Sequence, residues 1–343
     1  MTNKSRTAQT RAIANQIGFR GADEVISGDA LMMLSEKELL EKVNCSNIFT
    51  RMFPEAKLRI INALKAGRQV VAMIGDGAND GPALKAAHIG IAMGKKGTEI
   101  AKQGASLILL EDDLSKMIKA VAMGRRIYAN LKKAIQYIIS IHIPIILTVF
   151  IPLALDWVYP TIFSPVHIIV LELIMGPTCS MIYENEPMEK NAMSQKPRPF
   201  TTTFFNWKEL STSILQGLII SMATLSTYQY AIGVGTSEAL TRTMVFSCLI
   251  SANIWLTLVN RSFFYSLFTV IAYKNNLVPL IIMITLIFSF TLIYWKPLAF
   301  FFGFEPLSLG ALLISISLGF VSVAWYEIVK IKTRLDYTKM QSG

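Results

Sequence analysis

The chain has 343 residues, 52% hydrophobic and 16% charged, with a mean hydropathy of +0.45. That is too apolar for an ordinary soluble domain, and the excess lies after about residue 134. The net charge of +10 does not argue for nucleic acid, because the basic residues cluster beside apolar spans, as membrane topology requires. Cys45, Cys179 and Cys248 lie far apart, with no CxxC or Cys/His spacing, which argues against a disulfide framework or a thiolate metal site. The polar, basic first residues lack the apolar core of a cleavable signal peptide.

In chain order, residues 7–19 read as a helix with Ala8, Ala12, Ile13 and Ile17 on one face, stopped by Gly18. Val25-Ile26-Ser27-Gly28 reads as a strand and turn, and Ser35-Glu36-Lys37-Glu38 opens a helix with a capping box. Ile48-Phe49 is a further strand, and Pro54 starts a helix that stops near Gly67. The β-branched run from Val70 to Ile74 predicts a buried parallel strand, followed by a loop and a helix from about Gly81. A strand at 89–93, a helix at 98–102 and a strand at 106–110 complete an alternation that argues for a parallel α/β sheet.

The loop Gly75-Asp76-Gly77-Ala78-Asn79-Asp80-Gly81-Pro82 is the chemically richest stretch. Carboxylates at the carboxyl end of a parallel strand sit where α/β folds bind ligands. Asp76, Asn79 and Asp80 suit Mg²⁺ and a phosphoryl group, since Mg²⁺ takes one or two carboxylates plus phosphate and water. An EF-hand fails, because Ala78 and Ala87 occupy the third and twelfth positions of such a loop.

Three segments, Pro54-Glu55-Ala56-Lys57-Leu58, the Gly75-to-Leu84 loop and Gly90-Ile91-Ala92-Met93-Gly94, resemble the carboxyl half of the phosphorylation domain of P-type cation-transporting ATPases. Gly97-Thr98-Glu99-Ile100-Ala101-Lys102 continues the likeness, which extends more weakly through most of the chain. The resemblance implies a haloacid-dehalogenase-like, Rossmann-type partial phosphorylation domain over 1–113, a stalk helix over 114–133 and an all-α membrane domain over 134–343. It implies that Lys57 stabilises the transferring phosphoryl charge and Asp76 holds Mg²⁺. Asn79 and Asp80 would order the loop, with Gly75 and Gly77 allowing close backbone approach. ATP would be used by the complete protein.

The family's acceptor motif, Asp-Lys-Thr-Gly-Thr, does not occur here, nor do its actuator loop, nucleotide domain and first four membrane helices. The expectation is therefore a carboxyl-terminal part of a pump, or the product of a split gene, partnered by an amino-terminal half and inactive alone. The alternative is a non-catalytic membrane remnant that binds an intact pump. A membrane-anchored phosphatase is disfavoured, because no Asp-x-Asp-x-Thr/Val segment precedes Asp76.

The basic segment Gly124-Arg125-Arg126-Ile127-Tyr128-Ala129-Asn130 resembles the family's stalk, and its charges also suit anionic lipid headgroups. About six apolar spans follow, at 134–155, 163–183, 210–232, 240–259, 277–295 and 307–329, each near the roughly 20 residues a bilayer crossing needs. With residues 1–133 cytoplasmic, the cytoplasmic connections hold most of the Lys and Arg. A multi-pass protein of a bacterial plasma membrane is expected.

Polar residues within apolar spans are costly, and so are functional candidates. His142 lies two residues before Pro144, Glu172 five before Pro177, and Asn253 in the fourth span. Proline frees a backbone carbonyl, a useful cation ligand, so these three residues and nearby carbonyls are expected to line a cation path. The plainer alternative is that His142 and Glu172 hold each other. By resemblance, the calcium-ligand positions of this family fall on His142, Ile145, Glu172, Met175, Gly176 and Asn253. Most calcium carboxylates are thus replaced, and one Glu with one His suits a proton or a single monovalent ion better.

Overall fold

The computed structural model describes residues 3–19, 24–189, 191–198, 204–272 and 274–342. The chain divides into two compact units, residues 1–121 with 197–201, and residues 122–196 with 202–343.

The first unit is α/β. After α1 (Asn3–Gln16), β1 (Val25–Ser27) runs into a short α2 (Gly28–Met32), then α3 (Glu36–Cys45) and β2 (Ile48–Thr50), which pairs parallel with β1. The expected capping box starts α3: Glu38 N–H donates to Ser35 Oγ at 3.4 Å, and Ser35 N–H donates to the Glu38 carboxylate at 2.9 Å. Pro54 opens α4 (Pro54–Ala66), whose missing donor costs nothing in a first turn. This helix buries Ala56 and Ala63 against Leu31, Leu39 and Val43.

Next come β3 (Ala72–Gly75), a 3₁₀ turn over Ala78–Asp80, α5 (Gly81–Ala86), β4 (Ile89–Met93), α6 (Glu99–Gly104) and β5 (Leu107–Leu109). The three strands form a parallel sheet in the order β3-β4-β5, with Ile74 opposite Ile91 and Ile91 opposite Leu107. Side chains alternate between the two faces of a strand, and α5 and α6 cover one face, where Leu84, Ala92 and Ala101 pack with Met73. The other face carries Ile74, Ile89 and Leu107, which are 36%, 44% and 39% exposed. The sequence expectation of a buried β3 is therefore corrected. The strand is parallel, but its own Ala72 and Ile74 are exposed, while Ile91 beside Ile74 on the central strand is buried.

In the second unit the helices are long. The basic segment expected to form a stalk and the first span are one continuous helix, α7 (Ser115–Ala154), about 60 Å long at 1.5 Å per residue. Pro144 and Pro152 remain inside it, leaving the carbonyls of Ser140 and Thr148 without their helical donors. Membrane helices tolerate this where neighbours supply polar groups. The next helix, α8 (Pro165–Pro177), widens after Pro177 into a π-helical turn over Thr178–Tyr183. Then follow α9 (Trp207–Gly233), α10 (Glu238–Val259), α11 (Leu267–Ile271), α12 (Leu277–Tyr294), α13 (Lys296–Phe301) and α14 (Leu309–Ser342). Among the described residues six helices are long and apolar enough to cross a membrane: α7, α8 with its π turn, α9, α10, α12 and α14. The expected spans thus all fall on helices.

The most enclosed of the six is α10. At Gly319, where α14 meets it, an added Cβ would lie 2.6 Å from the Cys248 carbonyl oxygen, so only glycine lets these backbones approach. Polar residues pair along the seam of α7, α9 and α10. The amides of Gln216 and Asn260 exchange hydrogen bonds at 3.0 and 3.1 Å, and the Thr148 and Thr224 hydroxyls meet at 2.8 Å.

The basic residues of α7 find protein partners. The carbonyl of Glu186 accepts from Arg126 Nε at 2.9 Å and from Asn130 Nδ2 at 2.8 Å. Arg125 donates to the carbonyls of Ala192 and Gln195, and Lys133 pairs with Glu189 at 2.8 Å. The Glu186 carboxylate is itself buried against Arg261, at 2.7 Å, and accepts from Asn275 at 2.8 Å. The sequence suggested headgroup contacts for these charges, but a connecting segment between α8 and α9 takes up Arg125, Arg126 and Lys133 instead.

Glu186 and Arg261 are only 1% and 3% exposed, so removing Glu186 takes the carboxylate from a buried guanidinium. Glu186→Ala is expected to destabilise the protein by about 3–5 kcal/mol, read as a fall in thermal unfolding temperature in detergent. The exposed Glu184→Ala is the control, and an equal shift in both variants would refute the importance of this pair.

Candidate functional site

The loop after β3 is organised by Asp80. Its carboxylate accepts from the backbone N–H groups of Gly77 at 3.2 Å and Asp76 at 3.3 Å, and pairs with the Lys57 ammonium of α4. The Gly77 carbonyl accepts from Asp80 N–H at 3.0 Å, closing the 3₁₀ turn. Burial works to raise the Asp80 carboxyl, but the Lys57 ammonium and the two backbone donors outweigh it and hold the group below the usual carboxylate range.

Gly75 is required by contact. A Cβ there would lie 2.6 Å from Asp80 Cβ and 2.8 Å from its carboxyl carbon, so the buried Asp80 side chain lies directly on the Gly75 backbone. Gly77 differs: an added Cβ would meet only ordinary van der Waals neighbours, and its φ is −95°. Of the two glycines expected to allow close approach, only Gly75 is pressed.

Asp76 and Asn79 are exposed, whereas Asp80 is buried. The Asp76 backbone carbonyl accepts from Thr98 N–H at 2.8 Å, so the segment before α6 braces the loop. That bracing role for Thr98 was not read from its sequence position, because it is exercised through the backbone. The loop thus separates two functions: Asp80 is spent internally on holding the turn, and Asp76 is left outward at the carboxyl end of β3. A single outward carboxylate fits Mg²⁺, which needs only one or two from a protein and fills its other positions with water and phosphate oxygens. Among the described residues no cluster of three or more His, Cys, Asp or Glu forms a closed metal cage.

In the helical unit the three expected polar residues separate into two places. His142 Nε2 lies 2.9 Å from Glu172 Oε1, joining α7 to α8. His142 Nδ1 lies 2.8 Å from the Ile138 carbonyl, one turn back. A carbonyl only accepts, so Nδ1 carries a proton. His142 and Glu172 are 39% and 47% exposed, and each is the other's partner, as the plainer alternative anticipated. Asn253 does not join them. Its Oδ1 accepts from the buried Tyr137 hydroxyl and, at 3.4 Å, from Thr257. Tyr137 went unnoticed in the sequence, because a tyrosine in an apolar span reads as ordinary packing.

With this geometry in view, comparison with known proteins is specific. Residues 1–88 match the haloacid dehalogenase-like hydrolase family, and residues 160–331 match the family described as cation transporting ATPase, C-terminus. The chain is 30% identical over 337 residues to calcium-transporting ATPase 1 of Bacillus cereus, covering 93% of this chain and 38% of that protein. It is 35% identical over 257 residues to calcium-transporting ATPase 1 of Lactococcus lactis, covering 75% of this chain and 28% of the relative. It is also 31% identical over 303 residues to human calcium-transporting ATPase type 2C member 2, covering 88% and 32%. The chain thus spans between about a quarter and two-fifths of the length of these relatives. A haloacid dehalogenase-like α/β unit followed by six apolar helices, with a family match over half its length, places this multi-pass membrane protein in the cation-transporting P-type ATPase family.

Proposed function

We propose that this chain supplies the magnesium and phosphate loop and six membrane helices of an ATP-driven cation pump that works through an aspartyl phosphate. Residues 1–113 act as part of the phosphorylation domain, 114–133 as the stalk and 134–343 as the transmembrane domain. The observation that carries this is the loop after β3, where Asp80 and Lys57 lock the turn and leave Asp76 outward. Mg²⁺ held by Asp76 would neutralise phosphoryl charge, and phosphoryl transfer depends mainly on such positioning and neutralisation. Lys57, fixed by Asp80, adds a cation beside the loop. Asn79, which is exposed, would orient a phosphate oxygen. The phosphate acceptor and the ATP-binding surface come from residues that these 343 do not include. Lys/Arg bias between the spans favours residues 1–133 on the cytoplasmic side. A bacterial plasma membrane is the setting we favour, since relatives at 30–35% identity include three from bacteria.

For the cargo we favour a proton or a single monovalent cation. The named relatives transport calcium, but Ca²⁺ takes six to eight oxygens. Here the α7–α8 site offers one carboxylate already engaged with an imidazole. In this proposal His142 and Glu172 form the charged step of the path. Pro144 within α7, the π turn after Pro177 and Asn253 shape the helices around it.

Three measurements follow. Purified alone, the chain is expected to hydrolyse no ATP; Mg²⁺-dependent turnover that Asp76→Asn abolishes would contradict the shared-site proposal. In a complete pump, Glu172→Gln is expected to lower transport into vesicles at least about ten-fold, the scale of a lost charge-assisted hydrogen bond, and Ca²⁺ is expected not to stimulate it. Unchanged transport would remove Glu172 from the path. Asp80 tests the loop itself. Its carboxyl is depressed in the folded state, so its stabilisation is full above about pH 4, the unfolded value, and is lost as pH falls through the folded value. Asp80→Asn is therefore expected to unfold at a lower temperature than wild type at pH 7, with the gap closing under acid. A gap that persists unchanged to pH 2 would show that the charge is not what holds the turn.

A further inference from the structure

Two loops meet at the carboxyl ends of β4 and β5, and one backbone carbonyl ties them. Leu109 accepts from Gly94 N–H at 2.9 Å and from Asp112 N–H at 3.0 Å. The first loop, Gly94-Lys95-Lys96-Gly97, leads from β4 towards α6. Both of its glycines are pressed: an added Cβ would lie 2.6 Å from Leu110 Cα at Gly94 and 2.0 Å from the Met93 carbonyl oxygen at Gly97. Glycine also loses more backbone freedom on ordering than any other residue, so this loop needs a clamp. The second loop supplies it. Asp112 takes a left-handed φ of 55°, which aspartate tolerates better than most side chains. Its carboxylate grips the first loop with both oxygens: Lys95 N–H donates to Oδ1 at 3.0 Å and Lys96 N–H to Oδ2 at 2.9 Å.

The grip is placed where it bears on Asp76. Just beyond Gly97, Thr98 N–H donates to the Asp76 carbonyl at 2.8 Å, while Thr98 Oγ1 accepts from Ala101 N–H at 3.3 Å and starts α6. Asp112 is thus joined to Asp76 through residues 95–98. Lys95 and Lys96 are exposed, so water would satisfy their N–H groups. What the carboxylate adds is a fixed position rather than a partner. Desolvation works to raise the Asp112 carboxyl, but the N–H groups of Lys95, Lys96 and Gly94 outweigh it and hold the group below the usual carboxylate range. The neighbouring carboxylate does a different job. Asp113 accepts from the N–H and the hydroxyl of Ser115, both at 2.8 Å, at the start of α7.

We propose that Asp112 is a positioning residue for Asp76. By holding Lys95 and Lys96 it keeps Thr98 against the Asp76 carbonyl, and so keeps the outward carboxylate in one place at the carboxyl end of β3. A carboxylate already held in place has less freedom to lose when it binds a cation. The proposal rests on the reading that Asp76 holds Mg²⁺.

Amide hydrogen exchange of the whole chain in phosphatidylcholine nanodiscs, resolved to single residues by fragmentation mass spectrometry, tests this. Asp112→Gly accepts the left-handed backbone and removes the acceptor oxygens. It is expected to speed exchange at Lys95 and Lys96, and at Thr98 as well, by about ten-fold or more, the scale of a lost charge-assisted hydrogen bond. Asp112→Asn tolerates the same backbone and keeps one acceptor, so it is expected to fall between Gly and wild type. Asp113→Ala removes the cap of α7 and is expected to leave Thr98 as in wild type. Thr98 exchange unchanged in Asp112→Gly, or raised as much in Asp113→Ala, would overturn the proposal. The first outcome would make Asp112 a brace of residues 95–96 alone, and the second would assign the effect to the start of α7. Mn²⁺, which favours the same oxygen ligands as Mg²⁺, is the metal probe, its binding followed by electron paramagnetic resonance. Half-saturation is expected to need at least about three-fold more Mn²⁺ in Asp112→Gly, less than the roughly ten-fold or more lost with a group that touches a ligand directly. Binding weakened by Asp76→Asn but untouched by Asp112→Gly would also overturn the positioning role. Binding that ignores Asp76→Asn would sink the magnesium reading instead, and Thr98 exchange then decides the proposal by itself.

Discussion

Inside a bilayer a polar group has no water to turn to, so it must be satisfied within the protein. The helical unit is arranged around that constraint. Gln216 and Asn260 exchange amide hydrogen bonds, Thr148 meets Thr224, and Tyr137 meets Asn253, so that α7, α9 and α10 are fixed in register by pairs rather than by apolar contact alone. Apolar side chains gain little from leaving lipid, so close packing and paired polar groups must choose the partners. Gly319 supplies the close packing between α14 and α10. Where the helices leave the apolar zone the same rule acts on charges: Glu186, enclosed with Arg261 and Asn275, anchors the segment that Arg125, Arg126 and Asn130 clasp.

Against that background His142 and Glu172 stand out by their position. They satisfy each other, yet they are far less enclosed than the neighbouring pairs. A pair that served only to join α7 and α8 would be better buried. The cation path proposed above needs a pair that can be reached. The soluble loop shows a similar division of labour. One carboxylate, Asp80, is consumed in building the turn, and the other, Asp76, stays available, and this is possible because Gly75 leaves room for Asp80 against the backbone.

Much of this was legible in residue order. Ser35 with Glu38 and Pro54 marked helix starts that the structure has. The six spans were visible because the length of an apolar run is a local property set by bilayer thickness. The loop after β3 was visible because glycines and carboxylates at a strand end are rare in combination. Less legible were properties that depend on what packs where. A strand of apolar residues does not say whether one face or both are covered, and β3 is covered on one only. Basic residues in a helix do not announce whether lipid or a carbonyl will receive them. Asn253 shares an apolar setting with Glu172, but its partner is a tyrosine from another helix.

The sequence by itself determined the family: a haloacid dehalogenase-like loop, a basic segment and six apolar spans in the order of the cation-transporting P-type ATPases. Each of these rests on local composition and spacing, which the chain carries wherever it folds. Only the tertiary structure decided that Lys57 and Asp80 lock the loop, that His142 pairs with Glu172, and that Asn253 pairs with Tyr137. Those facts join residues between 23 and 116 positions apart. At such separations the partner is chosen by helix packing and by the need to pair each buried polar group, neither of which is written in a single segment.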